Sequence, residues 1–131
     1  MKKEELIDYW VKTADSDYNT ALNLFKSKDY HWSLFLGHLV IEKLLKAIYV
    51  NNIDSNPPRI HNLLLLAEQV GLDPTEEQKD SLDLITTFNI NARYPDYEQN
   101  FYNKCDYDFT RKNLKKIKEL RAWLQSKLGK K

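Results

Sequence analysis

Apolar positions are densest from Ser33 to Val50, SLFLGHLVIEKLLKAIYV. Wound as a helix at about 100° per residue, the segment places Leu34, Ile41, Leu45 and Ile48 on one side. Val40, Leu44 and Ala47 fall on another side, with Phe35 and Leu39 beyond them. Only a narrow wedge of Glu42, Lys43 and Lys46 interrupts the apolar surface. A helix that is apolar nearly all round must be enclosed by other helices, by a second subunit or by lipid. Three charges and His38 in its middle argue against lipid, since a spanning helix needs roughly 20 mostly uncharged residues. The pattern therefore predicts the central helix of a bundle, with surface left over for a partner.

The remaining segments supply helices to surround it. Leu6, Trp10, Ala14, Ala21, Leu24 and Phe25 follow helical spacing and predict a first helix from about Glu4 to Ser27. Asp17 falls within that stripe, where a buried carboxylate needs a cationic or hydrogen-bonding partner. A pause at Lys28 and Asp29 implies an antiparallel helical hairpin. Asn51 to Pro58, NNIDSNPP, is a break of turn-favouring residues. A third helix is predicted from about Ile60 to Val70, stopped by Gly71. Asp73, Pro74, Thr75 and Glu76 read as the start of a fourth, with the acid at the cap and proline in the first turn. That helix turns Leu82, Ile85 and Phe88 inward and ends before Pro95. Asn89 to Tyr107 has no apolar periodicity and reads as a loop, rich in tyrosine and asparagine. A last helix runs from about Asp108 to Leu128.

Composition narrows the class. The 131 residues are 42% hydrophobic and 30% charged, with three glycines and four prolines, as expected of a single helical globular domain spanning 1–131. The single cysteine, Cys105, excludes an internal disulfide framework and a cysteine-based zinc site. A lone thiol, and an N-terminus without the apolar run of a signal peptide, predict a cytoplasmic protein. At net charge +1 the chain is no obvious nucleic-acid magnet, but its charge is uneven. Arg111 to Lys131 carries nine basic residues against Glu119, whereas Asp73 to Asp83 carries five acids against Lys79. The basic run reads as a solvated helix face or as a contact for phosphate or an acidic partner.

The spacing of Trp10, Ala14, Asp17 and Ala21, then of Gly37 to Val50, His61-Asn62-Leu63 and ARYPDY (Ala92 to Tyr97), resembles that of the HEPN domain across nearly the whole chain. The resemblance implies an all-α fold, an up-and-down four-helix bundle with an additional short helix, that commonly dimerises. It also implies action beside a minimal nucleotidyltransferase in two-component or toxin-antitoxin systems. Many such domains are metal-independent ribonucleases with an arginine followed, after four to six residues, by a histidine. This chain departs from that pattern, because no histidine follows His61 and Arg93 therefore lacks the sequential partner.

Several residues are candidates for chemistry. Arg93 offers bidentate recognition of phosphate, or a salt bridge to Asp17 or Asp96 that ties down the loop. Tyr94 and Tyr97 are stacking groups or packing residues, and Asp96 orients Arg93 or serves the turn after Pro95. Glu42 and Lys46 form an i to i+4 pair, with Lys43 beside them; both lysines become phosphate contacts if the wedge faces a cleft. His38 reads as a satisfied core histidine or a spatially supplied base, and His61, placed at the start of the third helix, has the same two readings. Three scattered histidines do not make a metal site, and no metal or other cofactor is expected. The reading favoured is a dimeric, non-catalytic component holding a nucleotide or phosphate at Arg93. A metal-independent ribonuclease acting on RNA and a pure protein-interaction module are the alternatives.

Overall fold

The computed structural model describes residues 1–128, and Lys130 and Lys131 of the basic run lie outside them. Among the described residues there are six helices and no strand. Four are long: α1 (Lys3–Lys26), α2 (Tyr30–Asn52), α4 (Glu76–Arg93) and α6 (Tyr107–Leu128). Two are short: α3 (Leu63–Gln69) and α5 (Pro95–Lys104). The sequence pattern predicts one short helix; α5 is the second.

The α1–α2 hairpin turns at Lys28, whose φ of 70° is left-handed. The N–H of Asp29 reaches back to the Leu24 carbonyl at 2.8 Å and closes the end of α1. Ala14 and Ala21 are fully buried, and their small side chains let α2 come close enough for the Ser33 hydroxyl to donate to the Ala21 carbonyl at 2.7 Å. α2 touches every other helix, which is why its apolar residues cover so much of its circumference. One apolar cluster draws on all six helices, from Ala14 on α1 to Leu124 on α6. Gly37 marks where α6 approaches, because a Cβ there would press on Ile117 Cδ1.

Two boundaries differ from the sequence reading. α3 begins at Leu63, not Ile60, because Asn62 is its cap and accepts from the Leu65 N–H at 3.0 Å. His61 therefore precedes the helix, in the extended segment after the two prolines. α4 is capped by Thr75, not Asp73: Thr75 Oγ1 accepts from the Gln78 N–H at 3.1 Å and Gln78 Oε1 accepts from the Thr75 N–H at 2.9 Å. Pro74 lies before that reciprocal box.

The largest correction concerns Asn89 to Tyr107, which is not a loop. Asn89 to Arg93 complete α4, extended Tyr94 ends one helix and caps the next, and Pro95 opens α5. Proline suits that place, since its fixed φ matches a helix and the missing N–H is one the first turn leaves without a partner. Phe101 is the sole buried residue of α5, held against Phe88 with ring centroids 5.4 Å apart. A ten-residue helix fastened by one side chain shows no apolar stripe, so periodicity cannot reveal it. No described helix is long and apolar enough to cross a membrane.

Candidate functional site

The polar wedge of α2 is the inner end of a hydrogen-bonded chain that surfaces at Arg93. Glu42 is its hub, 5% exposed. One carboxylate oxygen accepts from Lys46 Nζ at 2.8 Å, and the other lies 2.9 Å from His61 Nδ1 and 3.6 Å from His38 Nε2. His38 is fully buried, with Nε2 3.2 Å from the His61 carbonyl oxygen. That contact requires the proton on Nε2, which leaves Nδ1 as the acceptor facing the Asn89 amide nitrogen at 3.5 Å, a weak bond. Asn89 turns its oxygen to Arg93, receiving Nε at 3.2 Å and Nη2 as well. Each donor thus meets an acceptor from the guanidinium to the carboxylate.

The charges follow from burial. Desolvation holds His38 below the ordinary histidine value of 6.5, and the charges of His61 and Arg93 act in the same direction. The bond to the His61 carbonyl and the nearby Glu42 oppose this without reversing it, so His38 is neutral at pH 7. For Glu42 burial raises the pKa, but hydrogen bonds from Lys46 and His61 outweigh it and the carboxyl lies below its ordinary 4.5. His61 turns Nδ1 to Glu42 and leaves Nε2 without a hydrogen-bond partner among the described residues, on a side chain 54% exposed. Burial pushes the Cys105 thiol up to about 12, so it carries no thiolate at neutral pH and is no nucleophile.

The other sequence candidates divide. Arg93 pairs with neither Asp17 nor Asp96; within the described residues its hydrogen bonds go to Asn89 alone. Its guanidinium lies 5.1 Å from the Tyr94 ring centroid and 6.0 Å from that of Phe35. The partner Asp17 needs is Lys43, at 2.7 Å, an α1–α2 contact outside the Glu42 chain. Lys46 serves Glu42 and covers the Trp10 ring at 5.5 Å. Tyr97 is exposed and borders a separate 240 Å³ hollow with Asn100 and Lys104. Asp96 is exposed in the first turn of α5, where a carboxylate favours the helix dipole. Sequence reasoning missed Asn89, although it stands one turn before Arg93 on an unbroken helix.

The family model of the HEPN domain matches residues 7–127. The chain belongs to the HEPN family. The match takes in every residue of the Glu42–Arg93 network, which in this HEPN domain joins α2, α4 and the segment before α3. The fold is similar to the crystal structure of TT1696 from Thermus thermophilus, with a TM-score of 0.81 over 92% of this chain and 97% of that one. At 18% identity the likeness is one of fold. None of the curated proteins compared with this HEPN domain matches it. Its Ala92 to Tyr97 segment forms the joint between α4 and α5, with Arg93 ending the first helix, Tyr94 between the two and Tyr97 on the second.

Proposed function

We propose that this HEPN domain binds the phosphate of a nucleotide through Arg93, as a non-catalytic dimeric component acting with a minimal nucleotidyltransferase in a two-component or toxin-antitoxin system. The observation that carries the reading is the state of Arg93: oriented by Asn89, flanked by aromatic rings, and hydrogen-bonded to no carboxylate among the described residues. A guanidinium so held keeps N–H groups for bidentate contact with phosphate and loses less conformational freedom on binding than a mobile one. Tyr94 flanks the same group, and exposed Ile90, one turn before it, adds apolar surface for a second copy. Calorimetry with nucleoside triphosphates tests the site: Arg93→Ala is expected to weaken binding at least tenfold, and Asn89→Ala to weaken it less. Equal affinity in wild type and Arg93→Ala removes the reading. Light scattering at micromolar concentration tests the dimer, with Ile90→Glu expected to yield monomers.

A second reading, metal-independent ribonuclease, rests on His61. Glu42 orients its Nδ1–H, and Nε2 is left to take a proton from a ribose hydroxyl, in the same network as Arg93. Cleavage of labelled RNA in EDTA that both His61→Ala and Arg93→Ala abolish would establish it; no cleavage by wild type would exclude it.

A further inference from the structure

The N-terminal turn of α2 and the outer face of α5 enclose a cleft of 410 Å³ that the phosphate reading leaves unused. It is lined by His31, Trp32, Pro95, Glu98, Gln99 and Tyr102. Its size suits a small ligand. Three rings gather there: His31 lies 4.8 Å from Trp32 and 5.3 Å, edge-on, from Tyr102. Trp32 and Tyr102 are 36% and 59% exposed, which leaves ring surface open to solvent. Neither lysine nor arginine is in the lining, and Glu98 supplies its carboxylate. His31 is 7% exposed, with Nε2 3.5 Å from Glu98 Oε2 and a buried Nδ1 for which the described residues supply no hydrogen-bond partner.

We propose that this cleft binds a guanidinium group. The lining has the opposite sign to Arg93 and repels phosphate, so the two sites sort ligands by charge. Aromatic faces attract a cation through their ring quadrupoles, and a planar cation can lie flat on them. Glu98 accepts two parallel N–H bonds from a guanidinium, a geometry that a point-like ammonium cannot match. The Gln99 carboxamide oxygen accepts a further N–H. The group can come from a small molecule or from an arginine side chain on a partner protein, and the two sources share this chemistry.

The test is two-dimensional NMR titration of the full chain, following the Trp32 indole N–H. Agmatine is expected to shift that resonance saturably, with Glu98→Gln weakening binding at least tenfold and Tyr102→Ala weakening it severalfold. Tyr102 is exposed, so its variant keeps the fold even if Trp32→Ala does not. Arg93→Ala should leave agmatine binding unchanged, which separates this site from the phosphate site. An arginine-containing peptide that competes with agmatine at equal strength assigns the cleft to a partner's side chain; a peptide that fails to compete assigns it to a small molecule. The proposal is overturned by no saturable shift at tens of millimolar agmatine or by binding indifferent to Glu98→Gln. It is also overturned by equal affinity for putrescine, or by preference for adenosine, which would make the cleft a pocket for an uncharged base.

Discussion

Glu42 is buried, so truncating it leaves Lys46 Nζ and His61 Nδ1 without their shared acceptor. Lys46 is itself only 12% exposed, and Glu42→Ala is expected to cost about 2–3 kcal/mol in urea denaturation. His38 adds a pH dependence. Its pKa is depressed on folding, so between 6.5 and the lower folded value the unfolded chain binds the proton more readily, and stability falls as pH falls. Glu42, also depressed, adds a second loss as pH drops below 4.5. Melting temperature should therefore hold above pH 7 and decline below 6.5, and His38→Gln should flatten the first part of that decline. The Glu42–Lys46 pair is legible in the sequence as an i to i+4 spacing, as is the need of Asp17 for a cationic or hydrogen-bonding partner. The contact of His61 with Glu42 is not, because it crosses 19 positions and depends on how the proline segment lies against α2.

The helices show the same division. The burial of central α2 is legible because apolar residues surround it, and Gly71 marks the end of α3 through a backbone angle, φ 87°, that glycine tolerates. The cap of α4 is ambiguous in the sequence because Asp-Pro-Thr-Glu contains two capping residues, and only the reciprocal bonds of Thr75 and Gln78 decide between them. Thr75→Ala is expected to lower stability by about 1 kcal/mol, visible as a lower melting temperature, while Asp73→Ala should have a smaller effect. α5 is hidden for a different reason. Its outward residues line the cleft at α2, so its side chains follow a surface pattern and not a core one. For Arg93 the sequence points to acids as partners, whereas the neighbouring turn of α4 holds an amide, Asn89.

Across the bundle, α2 is the shared wall: α1 covers one side of it and α6 another. The second contact closes at Gly37, and Gly37→Ala would force the end of the Ile117 side chain to shift, a cost partly offset by alanine's better helix propensity and expected to net about 1 kcal/mol or less by chemical denaturation. Ala14→Gly, which removes a methyl buried in the shared core and places glycine inside α1, should cost about 1 kcal/mol in the same measurement. The fold class follows from this enclosure, because a helix so apolar can be satisfied only by neighbours on every side. Which neighbour meets which side is not legible, since α1, α4 and α6 all offer apolar stripes of similar width.

The position of α2 in the chain sets a timetable for synthesis. Val50 leaves the ribosome roughly 80 residues before the end of α6 at Leu128, a gap of roughly 4–16 s at typical translation rates. Through that interval the nascent hairpin shows uncovered leucine and isoleucine to water or to chaperones, and only arrival of Ile117 seals it.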